Sequence, residues 1–116
     1  MKALSVVRPG GSLIASGRKT LEIRRWLPEL DPSEDLLIVE NGRYLREDGE
    51  QDEDGVAVAV VKVARVRPFT PDDVAAACAS IFEEGWFAWE LVGVRQIPAA
   101  TRVLAARGIY QVQVLT

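Results

Sequence analysis

Apolar and polar residues alternate strictly along Thr20-Leu21-Glu22-Ile23-Arg24, the end of a segment that opens with Gly17-Arg18-Lys19 and closes at Trp26. In an extended chain Leu21 and Ile23 take one face, and Thr20, Glu22 and Arg24 take the other. An acid and a base then look in the same direction from adjacent positions on that face, which calls for a polar cleft beneath it. Upstream, Leu4, Val6 and Val7 predict a first strand, stopped by Arg8-Pro9-Gly10-Gly11. Ser12 to Ser16 reads as a short helical turn ended by Gly17.

Downstream, Pro28 and Pro32 bracket a loop, and Leu36-Leu37-Ile38-Val39 reads as a buried strand. Residues 41–55 are polar and acidic, a pattern expected of a mobile hairpin tip or insertion without one conformation. The β-branched run from Val56 to Val66 predicts a central strand. Thr70-Pro71-Asp72-Asp73 has the make-up of a helix start: a hydroxyl cap, proline in the first turn and two carboxylates at the positive end. The main helix is expected from there to Gly85. Phe87 to Ile97 returns as a strand that Pro98 breaks, and Gly108 to Val114 alternates as the last one. Strands outnumber helices and no crossover helices separate them. This pattern predicts an α+β fold, a small curled sheet or barrel with one short and one longer helix on its rim.

The chain of 116 residues suits one domain over residues 1–116, large enough to bury a core without metal or disulfide staples. No apolar run is long enough to span a bilayer, and the first residues do not form a signal peptide, so no membrane partner and a cytoplasmic location are expected. Cys78 is the sole cysteine; its apolar neighbours at helical spacing suggest a buried structural thiol. The absence of histidine excludes Ser-His-Asp and Cys-His catalysis and imidazole-bound zinc. Any chemistry must use Lys, Glu, Asp, Thr, Ser or Tyr. No cofactor and no metal site are expected, since the acidic residues Asp48, Glu50, Asp52, Glu53 and Asp54 do not follow the calcium-loop spacing.

The net charge of -3 conceals a strong asymmetry. Residues 1–26 carry six Lys/Arg against Glu22 alone, residues 27–54 carry two against eleven Asp/Glu, and residues 55–116 carry six against five. A basic surface can form locally, while the acidic middle segment disfavours tracking of duplex DNA; a small or single-stranded ligand fits this balance better.

The segments Leu4-Ser5-Val6 with Pro9, Ser16-Gly17-Arg18-Lys19-Thr20-Leu21-Glu22-Ile23-Arg24 with Trp26, Ala88-Trp89-Glu90-Leu91, Val94-Arg95 and Gly108-Ile109-Tyr110-Gln111-Val112 together resemble the ASCH (activating signal cointegrator homology) domain of the PUA-like superfamily. The resemblance implies a PUA-like small β-barrel of mixed, mostly antiparallel strands, with a cleft beside the motif strand. It also implies a role in binding RNA or a nucleoside- or nucleotide-like small ligand. One branch of similar size is an amidohydrolase acting on N4-acylated cytidine, with a lysine and a threonine of the motif strand and a distant glutamate as its machinery. Lys19 matches that lysine, but Glu22 occupies the threonine position, where a carboxylate is a poor substitute for a hydroxyl nucleophile. Thr20 points the same way as Glu22 on an ideal strand. Gly10 stands where many members carry an aromatic, so Trp89, or else Trp26, would have to supply a stacking surface.

The resemblance thus singles out Arg8, Lys19, Glu22, Arg24, Trp89 and Arg95 as ligand-binding candidates, with Lys19 as base and Thr20 as partner if the protein is an enzyme, either that amidohydrolase or a ribonuclease. Each candidate has a plainer reading. Lys19 could be a solvated edge charge, Glu22 and Arg24 an ion pair that orients the strand, Trp89 a core residue, and Arg8 and Arg95 surface arginines. The leading expectation is a binding module that holds one unpaired base, with Glu22 and Arg24 reading its edge.

Overall fold

The computed structural model describes residues 1–113, leaving aside the side chains of residues 99 and 100. Strand β1 (Lys2–Val7) leads into helix α1 (Gly10–Ala15) and the motif strand β2 (Leu21–Arg24); β3 (Leu36–Asn41), β4 (Gln51–Asp52) and β5 (Val56–Pro68) follow. A single 3-10 turn (Pro71–Asp73) precedes β6 (Phe87–Arg102), and β7 (Ala105–Ala106) and β8 (Ile109–Gln111) complete the fold. Val114, the expected end of the last strand, lies outside the described residues.

Six strands form one sheet in the order β2-β6-β5-β3-β1-β8, and β4 and β7 pair separately. Among the described residues only the β1–β3 pair is parallel. The continuous apolar run of β3 matches its position, since all six of its residues are buried and both faces are covered. Leu36 and Ile38 join Leu4, Val61 and Trp89 in one core cluster, whereas Leu37 and Val39 join Ala3, Ala57 and Ala105 in another on the opposite face. The sheet curls strongly. Arg24 on β2 donates from Nη2 to the Ser5 carbonyl of β1 at 2.8 Å, although three strands separate β2 from β1 in the sheet order. The curl leaves a gap between β2 and β1.

Three expectations need correction. Pro98 does not end its strand: β6 continues to Arg102, and Pro98 sits in an irregular stretch between the Gln96↔Ala59 and Thr101↔Ala57 pairs. A residue without an N–H is tolerated where the ladder is already interrupted. The longer helix expected from Thr70 to Gly85 does not form. Its start is present, with the Asp73 carboxylate accepting from the Thr70 N–H and O–H at 2.9 Å each and from Arg67 at 2.7 and 2.9 Å. These bonds, that of Arg67 foremost, hold the Asp73 carboxyl well below the usual carboxylate range despite partial burial. Propagation then fails because the carbonyls a helix would use are taken by residues 19–21, at the entry to β2. Ala76 O accepts from the Thr20 and Leu21 N–H groups, and Ala77 O accepts from Lys19 Nζ. Cys78 consequently turns left-handed, with φ of 52°, and its thiol is exposed rather than buried.

Residues 41–55 are held by bonds within the segment and to β7: the Glu50 carboxylate accepts from the Arg46 and Glu47 amides and pairs with Arg43, and Gln51–Asp52 pairs with Ala105–Ala106. Gly55 closes this segment where a Cβ would meet the Val103 carbonyl oxygen at 2.3 Å and Val39 at 2.9 Å. Backbone cannot yield there as a flexible side chain would. Gly55→Ala is therefore expected to destabilise the fold by about 1–3 kcal/mol, read as a lower urea midpoint; an unchanged midpoint would contradict this packing.

Candidate functional site

The gap between β2 and β1 is a cleft of about 700 Å³. Its floor is built by the alternation of β2. Leu21 and Ile23 pack with Phe69, Ala77 and Ala88, so Glu22 and Arg24 are turned to the other side of the strand. Glu22 is 5% exposed and Lys19 8%. Lys19 Nζ donates to Ala77 O at 2.6 Å and lies 3.4 Å from Glu22 Oε1, while Arg24 Nη2 is 3.2 Å from Glu22 Oε2. The Ile23 amide also donates to Glu22 Oε1 at 3.2 Å. Burial works against charge on Glu22, but the charges of Arg24 and then Lys19 outweigh it, so its carboxyl titrates below the ordinary 4.5. The carboxylate is thus clamped between two cations. Nε and Nη1 of Arg24 make no hydrogen bond among the described residues, which leaves part of that guanidinium able to donate to a bound molecule.

Arg8, Lys19, Glu22 and Arg24 all line the cleft. Arg8 enters from the end of β1, anchored by its amide on Asn41 O, with its side chain largely exposed and 4.0 Å from Glu40. The other candidates are elsewhere. Thr20 is exposed and outside the lining, because the strand proper begins only at Leu21. Arg95 pairs with Asp35 at 2.8 Å, away from the cleft. Trp89 is 0% exposed in the core, directly opposite Glu22 in the β2–β6 register. It carries a buried Nε1 without a hydrogen-bond partner among the described residues. Its ring is sealed from the cleft by Trp26, which meets it edge to face with centroids 5.0 Å apart.

Trp26 therefore supplies the aromatic wall expected of Trp89. Trp86 and Tyr44 also line the cleft, and Arg25 stacks over the Trp86 ring at 4.8 Å. Reading the sequence missed both of these rings, together with Arg43 and Arg107. Tyr44 carried a signal: an aromatic isolated in a polar acidic segment is 68% exposed and has no core to serve. Cys78 also reaches the lining. Among the described residues no helix is long and apolar enough to cross a membrane.

The fold has counterparts among known proteins. The ASCH domain model matches residues 4–99 of the chain. The protein belongs to the ASCH family. ASCH domains are in general nucleic-acid-binding domains of PUA-like fold. Crystal structures of two mutant forms of ZmASCH from Zymomonas mobilis share the fold. One aligns with a TM-score of 0.68 at 14% identity, over 97% of this chain and 87% of the other. The second aligns with a TM-score of 0.63 at 16% identity, over 88% and 75%. No curated protein sequence matches this ASCH domain. Among the described residues its mixed sheet and single short helix agree with the PUA-like class expected from the sequence, without the longer helix.

Proposed function

We propose that this ASCH domain is an RNA- or nucleotide-binding module that takes one unpaired base into the cleft beside β2. The observation that carries this reading is the joint presence of the clamped Glu22, the half-engaged Arg24 and the Trp26 ring around one cavity. A volume of about 700 Å³ lies within the range of small-molecule sites. Trp26 offers a surface for stacking, and Arg24 can donate to a base acceptor while Glu22 accepts from an exocyclic amine. The hydrolase alternative draws less support, since Lys19 is committed to Ala77 O and Glu22 and Thr20, its expected partner, lies outside the cleft lining. A single domain acting in the cytoplasm, without cofactor, belongs to the same proposal.

The test is titration of the four ribonucleosides and of short single-stranded RNA against wild type and Arg24→Gln, followed by tryptophan fluorescence. Binding that falls about 10-fold in the variant, as for loss of a charged donor worth about 1.5–3 kcal/mol, supports the reading. Binding that is absent, or indifferent to the substitution in a folded variant, removes it.

A further inference from the structure

The cleft mouth holds a second group of charges that the base-binding reading does not use. Arg8, Arg43 and Arg107 line it from three separate segments: the end of β1, the acidic segment, and the turn before β8. The Arg8 guanidinium runs beside Gly42, the neighbour of Arg43. Arg8 lies 4.0 Å from Glu40 of β3, and the carboxylates that meet Arg43 and Arg107 come from the acidic segment. Asp48, itself a lining residue with a fully exposed side chain, accepts from Arg107 Nη1 at 3.1 Å; Glu50 pairs with Arg43 Nη1, and Asp52 lies 3.9 Å from Arg43 Nε. The Asp48–Arg107 pair is solvated on both sides, so it contributes little stability and is replaceable by a better anion. A phosphate offers more charge and more acceptor oxygens than one carboxylate, in a geometry suited to arginine forks.

We infer that Arg8, Arg43 and Arg107 form a phosphate subsite at the cleft mouth, and that Asp48 occupies it as a built-in competitor which the phosphate of a nucleotide displaces. This rests on the base-binding reading of the same cleft and sharpens it. The ligand is a phosphorylated nucleotide or a nucleotide within RNA rather than a free nucleoside, and the acidic segment sets how strongly it is held. Asp48 screens the mouth against weak anions, so only a ligand that engages both floor and mouth gains the full set of contacts. The role of the acidic residues is thus electrostatic competition within the site.

The experiment uses the full chain with two kinds of probe. Inorganic phosphate is titrated while the side-chain N–H resonances of the arginines are followed, and nucleosides are compared with the corresponding monophosphates by calorimetry. Wild type, Asp48→Asn, Arg107→Gln and Glu53→Gln are measured at low salt. Glu53→Gln removes one charge from the same segment outside the cleft lining. Asp48→Asn is expected to tighten phosphate and the monophosphates by about 3- to 10-fold while leaving nucleosides unchanged, and the gain should shrink in high salt. Arg107→Gln should bring the monophosphates close to nucleoside affinity. An equal gain in Glu53→Gln, or phosphate resonance shifts that bypass Arg8, Arg43 and Arg107, overturns the subsite. If nucleosides bind but phosphate adds nothing, the subsite falls and the base pocket stands. If phosphate binds at these arginines but no nucleoside or nucleotide does, the subsite stands and the base pocket falls; binding of no probe removes both.

Discussion

Glu22→Ala is expected to lower stability by about 3 kcal/mol or more, because it leaves two cations facing each other in a buried site. Lys19 is the more sensitive partner, since its ammonium is buried and would retain only the Ala77 carbonyl; Arg24, a quarter exposed, can relax toward water. The loss should appear as a lower urea midpoint with an unchanged slope. A change under about 1 kcal/mol would mean that the triad has no strong coupling. The same site has a defined pH signature. The Glu22 carboxyl is depressed in the folded protein, so the stability it contributes is fully present above its ordinary value of 4.5 and is lost as pH falls through the lower folded value. Asp73 and Glu90 titrate in the same direction, so wild type must be read against Glu22→Gln. The difference between the two should hold at neutral pH and narrow in acid; a difference that widened below pH 4.5 would contradict the assignment.

Trp89→Ala should cost about 3–5 kcal/mol, the range for emptying a fully buried aromatic site. Trp89 is among the largest fully buried side chains and packs with Leu4, Leu36 and Ile38 in the main core cluster. The unpartnered Nε1 places the cost toward the lower end, since removing an unsatisfied donor recovers some desolvation penalty. Trp26 should behave in the opposite way. Trp26→Ala is expected to reduce ligand affinity by about 1–3 kcal/mol, the worth of one stacked base, with a smaller effect on folding. Trp89→Phe, which keeps an aromatic ring behind Trp26, should leave affinity within about 2-fold. If Trp89→Phe abolished binding while Trp26→Ala did not, the aromatic wall would have been placed on the wrong ring.

These two tryptophans show where legibility in sequence ends. Trp89 sits in an apolar strand and Trp26 just beyond the end of β2, after Arg24-Arg25, and the register puts Trp89 on the same face as Glu22. Which of two rings on one face is inner and which is outer depends on the strand that curls over it, and β2 brings Trp26 over Trp89. The motif strand itself was readable, because a period of two with Leu21 and Ile23 inward leaves Glu22 and Arg24 only one side to occupy. The failed helix was not readable. Thr70 to Asp73 is a sound start, and the competitors for Ala76 O and Ala77 O come from residues 19–21, more than fifty positions earlier.

By itself the amino-acid sequence carried the family resemblance and determined most of the strands and the shared face of Glu22 and Arg24, which local periodicity sets; alternation alone would put Lys19 with Leu21 and Ile23, and it is the fold that turns its ammonium toward Glu22. The tertiary structure alone decided that Trp26 rather than Trp89 faces the cleft, that Arg95 stays outside it, and that Arg43 and Arg107 join Arg8 at its mouth. The reason is physical. A curled sheet brings together residues as far apart in the chain as Ser5 and Tyr110, and which of them meet is fixed by the curl and by long-range hydrogen bonds such as that from Arg24 to Ser5, neither of which leaves a local trace in the chain.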